Sequence, residues 1–319
     1  MTTQIELTPP DISAYAAGNT GIDYYTTFES GIPGPHVLVN AITHGNELCG
    51  AIALDFLFRK TVRPTRGRLT LGFANYMAFQ TFDPAAPTMS RYVDEDLNRL
   101  WSPDVLDGPR DSVELQRARD IRPLIDTVDF LLDLHSMQQP CPPLMLCGPL
   151  EKGRTFAAGV GYPAHVVADE GHAAGKRIRD YGAFGDPQSA KNALLVECGQ
   201  HWASESAVVA LETTLRFLLQ LDVIDPDFAS AHLTEATPAR QRFIEVTEAV
   251  TVHSGEFAFA HPYSGLEVIP KAGDPIGVDG DTPIRAPYDD CVLIMPSLRL
   301  YPGQTAVRLG RFVERASGA

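Results

Sequence analysis

Three side chains suited to metal binding lie where predicted strands end in this 319-residue sequence. His44 and Glu47 are three residues apart between an apolar run and a helical pattern, and side chains at i and i+3 on a helical turn share a face. Gly45 between them is expected to permit a sharp turn. His135 follows the apolar run 130–134. Two histidines, a glutamate and an open fourth position form the ligand set of catalytic zinc sites, so we expect these residues to bind one Zn²⁺ per chain.

A glutamate at the end of another apolar run is a second candidate for chemistry. Glu197 closes the run 194–197, where burying a carboxylate is costly unless it has a partner. Beside a metal, such a residue serves as general base for a water molecule. A structural salt bridge is the alternative. Burial would raise the pKa of this carboxylate and neighbouring cations would lower it, and the sequence leaves the balance open.

The segment 90–99 combines acidic residues with two arginines. An arginine fork pairs with planar carboxylates, and Asn98 adds amide hydrogen bonds, so Asn98 and Arg99 are candidates for substrate binding. Arg91 is a candidate for stabilising the oxyanion that forms when a carbonyl is attacked. A salt-bridged loop without catalytic function is the alternative interpretation.

The elements that must position these residues alternate between strands and helices. Apolar, β-branched runs predict strands at 37–42, 69–74, 130–134, 144–146, 164–168 and 194–197. Helical patterns cover 47–59, 112–125 and 204–221, with Ser112 and Ser204 as predicted N-caps. This alternation predicts an α/β sheet with helices on its faces, and ligands in such sheets collect beyond the carboxyl ends of the strands.

The pattern changes in the last quarter of the chain. From residue 242 onward, short strand-like segments are separated by Gly and Pro turns, and no long helix is predicted. We therefore predict a catalytic domain over residues 1–235 and a small all-β domain over residues 236–319.

The composition excludes several classes of function. Lys and Arg number 26 and Asp and Glu number 40, giving a formal charge of −14, which argues against a nucleic-acid partner. No apolar run is long enough to predict a membrane span, and no signal-peptide pattern is visible. The five cysteines include no C-x-x-C pair, which indicates reduced thiols and a cytoplasmic location. A homo-oligomer is left open.

Four segments together resemble a known family. HGNELCG (44–50), RYVDEDLNR (91–99), DLHS (133–136) and VECG (196–199), in this order and spacing, resemble the succinylglutamate desuccinylase and aspartoacylase family. That family has the zinc-carboxypeptidase-like fold, so the resemblance implies a mixed, mostly parallel sheet flanked by helices and a C-terminal β domain. It covers roughly residues 35–319.

The resemblance also implies a role for each matching residue. It implies zinc on the His44, Glu47 and His135 set, and Glu197 as general base and then general acid. Arg91 would polarise the scissile carbonyl. A substrate carboxylate would be held by Asn98 and Arg99.

The sequence departs from the family pattern ahead of Glu197. Aspartoacylase carries a further arginine there, whereas this chain has Lys191, which is a point charge and not a fork. We include Lys191 among the substrate-binding candidates, but its replacement of arginine argues against an aspartate- or succinate-type acyl group. Tyr301 is the candidate for the substrate-contacting tyrosine that the family's β domain supplies.

These observations predict zinc-dependent hydrolysis of the amide bond in a small N-acyl amino acid or related N-acyl amine. The nucleophile would be a water activated by the metal, and the substrate would carry a carboxylate. A zinc carboxypeptidase acting on short peptides is the runner-up, because the same site serves both reactions. A non-catalytic metal- or ligand-binding module is the third possibility, against which Glu197 argues because metal storage needs no general base.

Overall fold

The computed structural model describes residues 4–171, 174–234 and 238–314. Its strands are β1 (Tyr25–Glu29), β2 (His36–Ala41), β3 (Arg68–Phe73), β4 (Phe130–Met137), β5 (Leu144–Leu146), β6 (His165–Ala168), β7 (Asn192–Gln200), β8 (Arg242–Thr251), β9 (Phe257–Phe259), β10 (Glu267–Ile269), β11 (Pro275–Asp279), β12 (Thr282–Arg285), β13 (Cys291–Ile294) and β14 (Thr305–Val313). Its helices are α1 (Leu48–Arg59), α2 (Tyr76–Gln80), α3 (Pro103–Leu106), α4 (Val113–Ile125), α5 (Glu151–Val160), α6 (Ser204–Gln220) and α7 (Pro226–His232).

Within these residues, eleven strands form one sheet in the order β1-β3-β2-β4-β7-β5-β6-β8-β14-β13-β10. Strand β2, which precedes His44, and strands β4 and β7, which contain His135 and Glu197, are parallel neighbours. Antiparallel pairing begins at β5 on one side of them and at β1 on the other. Strands β9, β11 and β12 form a second, small antiparallel sheet. The predicted fold class, a mostly parallel core with an all-β C-terminal part, is confirmed.

The large sheet continues into the C-terminal part of the chain. Strand β8 pairs in parallel with β6, from His165 opposite Arg242 to Ala168 opposite Glu245, and β14 then pairs with β8. The C-terminal strands are therefore attached to the rest of the large sheet by backbone hydrogen bonds. The predicted domain boundary, between residues 235 and 236, lies outside the described residues and stays a prediction.

The central strands are buried on both faces, which explains their nearly continuous apolar sequences. Every residue of β2 and β7 is buried, and α1 and α6 pack together over one face of the sheet. On α6, Leu215 and Leu218 are fully buried, while Leu211 and Leu219 pack against the core at its edge. The predicted apolar face of this helix is therefore the face that covers the sheet.

The two predicted helix caps have different outcomes. Ser112 caps α4, its side chain accepting a hydrogen bond from Leu115 N at 3.0 Å. Ser204 is instead the first residue of α6, and its hydroxyl donates to Glu6 Oε2 at 2.9 Å. Ala203 occupies the cap position, so the prediction for Ser204 is wrong by one residue. The Ser204 hydroxyl, which was expected to cap the helix, is instead hydrogen-bonded to Glu6 in the N-terminal segment.

None of the helices in the described ranges combines the length and apolar character needed to cross a bilayer.

Candidate active site

The structure brings the three predicted metal ligands together. His44 lies in the turn after β2, Glu47 is the N-cap residue of α1, and His135 lies near the end of β4. His44 Nδ1 is 2.8 Å from Glu47 Oε1, and His135 Nδ1 is 3.0 Å from Glu47 Oε2. Ligand atoms from the three side chains lie within 4.8 Å of one another, so the set is able to hold one metal ion. His44 and Glu47 meet across a turn that precedes the helix, because Glu47 N donates to His44 O at 3.1 Å.

Gly45 is required at this turn by close packing and not by its own backbone angles. Its φ is not in the left-handed region. A Cβ at this position would lie 2.4 Å from Ala78 C and Phe79 N and 2.5 Å from Ser90 O. The expected sharp turn is therefore present, but glycine is needed because α2 and the loop before Arg91 press against it.

One aspartate contacts each imidazole on the side away from Glu47. His44 Nε2 lies 2.8 Å from Asp96 Oδ1, and His135 Nε2 lies 2.6 Å from Asp133 Oδ2. A carboxylate thus lies beside each Nε2, while each Nδ1 faces Glu47. This is the arrangement that metal-binding histidines usually have, so the donor set fits a divalent metal.

The charge state of Glu47 also suits metal binding. Burial would raise its pKa, but the imidazoles of His44 and His135 outweigh burial and hold the pKa well below its usual value. The carboxylate is therefore ionised, as a ligand must be.

Sequence reasoning missed both aspartates. Asp133 is two residues before His135 in the same strand, so period-2 alternation could have placed it on the same face. No comparable local signal connects Asp96 with His44, because they lie on separate loops.

Glu197 occupies the neighbouring strand, directly opposite His135 in the parallel register of β4 and β7. Its Oε2 is buried and lacks a hydrogen-bond partner, and no ion pair to Glu197 occurs in the described part of the chain. Burial raises the pKa of Glu197 to about 8, against the opposing charges of His135 and Arg91. Burial thus outweighs the positive charges of the neighbouring protein groups, and no ion pair to Glu197 among the described residues supports the salt-bridge alternative.

The segment 90–99 is both salt-bridged and part of the site. Arg91 Nη2 donates to Asp96 Oδ2 at 2.9 Å, while its buried Nε has no partner. Asn98 Oδ1 accepts from Ile178 N at 2.9 Å, and Arg99 Nη1 donates to Asn98 O at 2.7 Å. Arg91, Asn98 and Arg99 all line the cavity over the metal-binding set. The ion pairs therefore fix a loop that borders a space for a ligand.

Two predicted substrate contacts are not brought to this cavity. Lys191 lies just before β7, and its Nζ donates to Asp126 O at 2.7 Å. It is six positions before Glu197 along the strand, which is roughly 20 Å at about 3.3 Å per residue. Tyr301 is 51% exposed, and neither residue lines the cavity. The structure therefore does not support Lys191 as a substrate-binding residue.

Other lining residues were not predicted. The cavity has a volume of about 170 Å³. His201 follows β7 and lies 2.9 Å from Ser136 Oγ through Nδ1, and burial lowers its pKa to about 3, so the imidazole is neutral. Arg177, Arg299 and Arg308 also line the cavity, the last two from the C-terminal β part. The apolar lining includes Met137, Leu146, Leu195 and Met295.

Comparison with known proteins agrees with the motifs and the geometry. The family model described as the succinylglutamate desuccinylase/aspartoacylase catalytic domain matches residues 33–221. No curated protein matches the sequence.

Solved structures share the fold over nearly the whole chain. Succinylglutamate desuccinylase from Vibrio cholerae is similar with a TM-score of 0.66 and 19% identity, over 91% of each chain. Succinylglutamate desuccinylase/aspartoacylase from Rhodobacter sphaeroides has a TM-score of 0.63 and 18% identity, over 91% of this chain and 89% of that one. The product-bound ectoine utilization protein EutE (DoeB) from Ruegeria pomeroyi has a TM-score of 0.63 and 17% identity, over 90% and 88%. At these identities the likeness shows the fold.

Proposed function

Because the chain belongs to the succinylglutamate desuccinylase/aspartoacylase family, we propose that it is a zinc-dependent deacylase that hydrolyses the amide bond of a small N-acyl amino acid or related N-acyl amine. Zinc would be held by His44, Glu47 and His135. A metal ion bound there supplies Lewis acidity, which polarises a carbonyl and lowers the pKa of a water. The unpaired cysteines favour a cytoplasmic location.

One observation carries this proposal. The buried carboxylate of Glu197, whose Oε2 lacks a hydrogen-bond partner, stands opposite the candidate metal ligand His135 on the adjacent strand. Burying such a group costs free energy without any benefit to folding. A structural metal site would have no use for it, whereas a hydrolase needs a base with a pKa near neutrality. Burial raises the pKa of Glu197 to about 8 before any metal binds, and a bound cation would lower it toward neutrality.

Each residue has a separate role in the proposed reaction. Glu197 takes a proton from the attacking water and later returns it to the leaving nitrogen. Arg91, which lines the cavity, donates to the oxyanion that develops on the carbonyl oxygen. Arg99 binds a substrate carboxylate, and the Asn98 amide, fixed through its Oδ1 by Ile178 N, adds a donor. The side chains of Met137 and Leu195 contribute apolar walls that limit access of bulk water.

The test combines metal analysis with a substrate panel. Protein purified with zinc should contain about one metal per chain by elemental analysis and should hydrolyse at least one N-acyl amino acid. Glu197→Gln should retain the metal and lose turnover by at least about a hundredfold, since general base catalysis contributes at least that much.

The alternatives give different results in the same experiment. Cleavage of short peptides, with N-acyl amino acids untouched, would identify a carboxypeptidase. Bound metal with no effect of Glu197→Gln on any turnover would favour the binding module and overturn the proposal.

A further inference from the structure

His201, the residue that follows β7, lies in the wall of the cavity but has no part in the reaction proposed above. The residue is only 3% exposed. Its backbone N donates to Met137 O at 2.8 Å, and its ring Nδ1 lies 2.9 Å from Ser136 Oγ. The ring of Trp202 packs beside it, with the two ring centroids 5.4 Å apart. The imidazole is therefore held in one position at the carboxyl end of β4.

The second ring nitrogen of His201, Nε2, has no hydrogen-bond partner among the described residues. It does not belong to the buried polar atoms that lack a partner, so Nε2 is accessible. The space that His201 borders is the cavity over the metal-binding set. This nitrogen is therefore left to contact whatever occupies the cavity.

The partner of Nδ1 determines which ring nitrogen carries the proton. Burial, helped by the positive charge of Arg91, outweighs the carboxylate of Glu47 and lowers the pKa of His201 to about 3, so the neutral ring has one N–H. Among the described residues, the buried Ser136 hydroxyl has His201 Nδ1 as its one hydrogen-bond partner. The hydroxyl proton is paired only if it is donated to Nδ1, and this places the ring proton on Nε2.

The neighbours of Glu47 place Arg91 and His201 at different oxygens of its carboxylate. Glu47 Oε1 is 2.8 Å from His44 Nδ1 and 3.4 Å from Arg91 Nη1. Glu47 Oε2 instead accepts from Ser136 N at 3.1 Å, and Ser136 holds the His201 ring. The metal-binding set thus has a charged donor next to one of these oxygens and a neutral donor next to the other.

A donor that is fixed in place without a partner fits a ligand that supplies an acceptor, because a hydrogen bond left unmade costs free energy. We propose that His201 is a further substrate-binding residue, which donates through Nε2–H to an oxygen of the group bound at the metal-binding set. The inference rests on the proposed function for the identity of that group as an acyl compound. It gives the site two donors, Arg91 and His201, that approach the bound group from different directions.

The donor at Nε2 selects the kind of atom that binds beside it. A carbonyl, carboxylate or hydroxamate oxygen pairs with Nε2–H, whereas an N–H in the same place would leave two donors facing each other. The acyl group is therefore expected to bind with an oxygen, and not the amide nitrogen, next to His201. Because the ring is neutral, this contact does not depend on a negative charge in the ligand.

The position of the ring proton is testable without metal or substrate. In protein labelled with ¹⁵N-histidine, long-range ¹H–¹⁵N spectra near neutral pH distinguish a protonated ring nitrogen from an unprotonated one. His201 should show a protonated Nε2 and an unprotonated Nδ1, and its signals are identified by their loss in the His201 variants. Ser136→Ala should shift the ring toward the Nδ1–H tautomer, because the donor to Nδ1 is removed.

Ligand binding tests the donor itself. Acetohydroxamate is a small compound with two adjacent oxygens, and isothermal titration calorimetry on zinc-supplied protein gives its affinity. His201→Asn, whose amide replaces Nδ1 and leaves no donor at Nε2, should weaken binding about three- to tenfold, the effect of one hydrogen bond. His201→Gln, whose amide nitrogen replaces Nε2, should stay within about twofold of the natural protein.

A structural role for His201 would reverse this order. If the residue acted only through Ser136, His201→Asn would bind acetohydroxamate normally and His201→Gln would bind it weakly. His232→Asn is the matched control. His232 lies on α7, uses its Nδ1 in a 2.8 Å hydrogen bond to Phe228 O and does not line the cavity, so the affinity should be unchanged.

Three results would overturn the inference: a proton on Nδ1 in the natural protein, equal weakening in the two His201 variants, or no weakening in His201→Asn. Melting temperatures establish that the variants are folded. If His201→Asn is not, the effect of acetohydroxamate on the His201 Nε2 signal of the natural protein decides the question. A shifted signal supports the inference, and an unshifted one rejects it.

The inference and the proposed function fail in different ways. Turnover of N-acyl amino acids, with acetohydroxamate affinity unchanged in His201→Asn, would reject this inference and leave the proposed function intact. The expected order of the variants, without turnover of any amide, would reject the proposed function alone.

Discussion

His135 Nε2 lies 2.6 Å from Asp133 Oδ2, two residues earlier in β4, and this pair links the metal-binding set to a buried polar network. Asp133 Oδ1 accepts from Asn40 Nδ2 at 2.8 Å and from Thr43 Oγ1 at 2.9 Å. Asn40 Oδ1 in turn accepts from the Tyr25 hydroxyl at 2.7 Å. The orientation of the His135 imidazole is thus determined by groups on three strands before any metal binds.

Asp133→Asn should weaken metal binding. The amide cannot replace the charged acceptor at His135 Nε2, and loss of such a partner typically costs about 10–100-fold in metal affinity. Competition with a chromogenic zinc chelator measures the change. Asp129→Asn is the control, because Asp129 precedes the same strand and accepts from His36 N at 2.8 Å, far from the metal end. Equal zinc affinity in the two variants would contradict the role given to Asp133.

Arg91→Ala should lower kcat by about 10²–10³, the usual effect of removing one oxyanion donor. Because Arg91 is not a metal ligand, bound zinc should stay near one per chain by elemental analysis. An unchanged kcat would show that Arg91 only holds the loop through Asp96.

Arg99→Ala should mainly raise KM for a carboxylate-bearing substrate, by roughly tenfold or more for the loss of a hydrogen bond to a charged group. Lys191→Met is the informative comparison. Lys191 lies at the end of β7 away from the cavity, so the KM of the Lys191→Met variant should match that of the natural protein. Steady-state kinetics on one substrate measure both values, and a raised KM for Lys191→Met would return that residue to the site.

Gly45→Ala should destabilise the protein by about 1–3 kcal/mol, the usual cost of overpacking. The new methyl group would lie 2.4 Å from the backbone of α2. A backbone shift that relieves this clash would displace the adjacent His44. Urea denaturation gives the free energy of unfolding, and zinc affinity should fall with it. Gly255→Ala is the control, since no atom lies within 4 Å of a Cβ there. Similar stabilities for the two variants would contradict the packing argument.

His36 should make stability depend on pH. Burial, assisted by the positive charge of Arg68, lowers its pKa to about 4, and the ring contacts Thr70 and Thr127 in its neutral form. The unfolded histidine has a pKa of about 6.5, so the unfolded state binds the extra proton between pH 6.5 and 4. The contribution is fully present above about pH 6.5 and is lost as the pH falls toward 4.

The free energy of unfolding should therefore fall by about 1–2 kcal/mol more between pH 7.5 and pH 5 in the natural protein than in His36→Gln. Urea titrations at the two pH values measure it. The same pH dependence in both proteins would show that His36 does not titrate in this window.

Much of the site was readable from the sequence because its signals are local. The turn at 43–47 and His135 each follow an apolar, β-branched run, and parallel neighbouring strands bring their carboxyl ends to one edge of the sheet. Hydrophobic pattern and chain direction therefore sufficed to predict that His44, Glu47, His135 and Glu197 converge. The four motifs, in their order and spacing, indicated the family, and the alternation of predicted strands and helices indicated the fold class.

Only the tertiary structure decided which distant segments meet, because no sequence pattern connects them. Asp96 reaches His44 from a separate loop, and Arg308 enters the cavity from the far end of the chain. Whether Glu197 is protonated near neutral pH depends on burial, which needs every neighbour in place. Lys191 was a substrate-binding candidate because it stands where the family has an arginine. The structure places it just before β7, at the end of the strand away from Glu197, and it does not line the cavity.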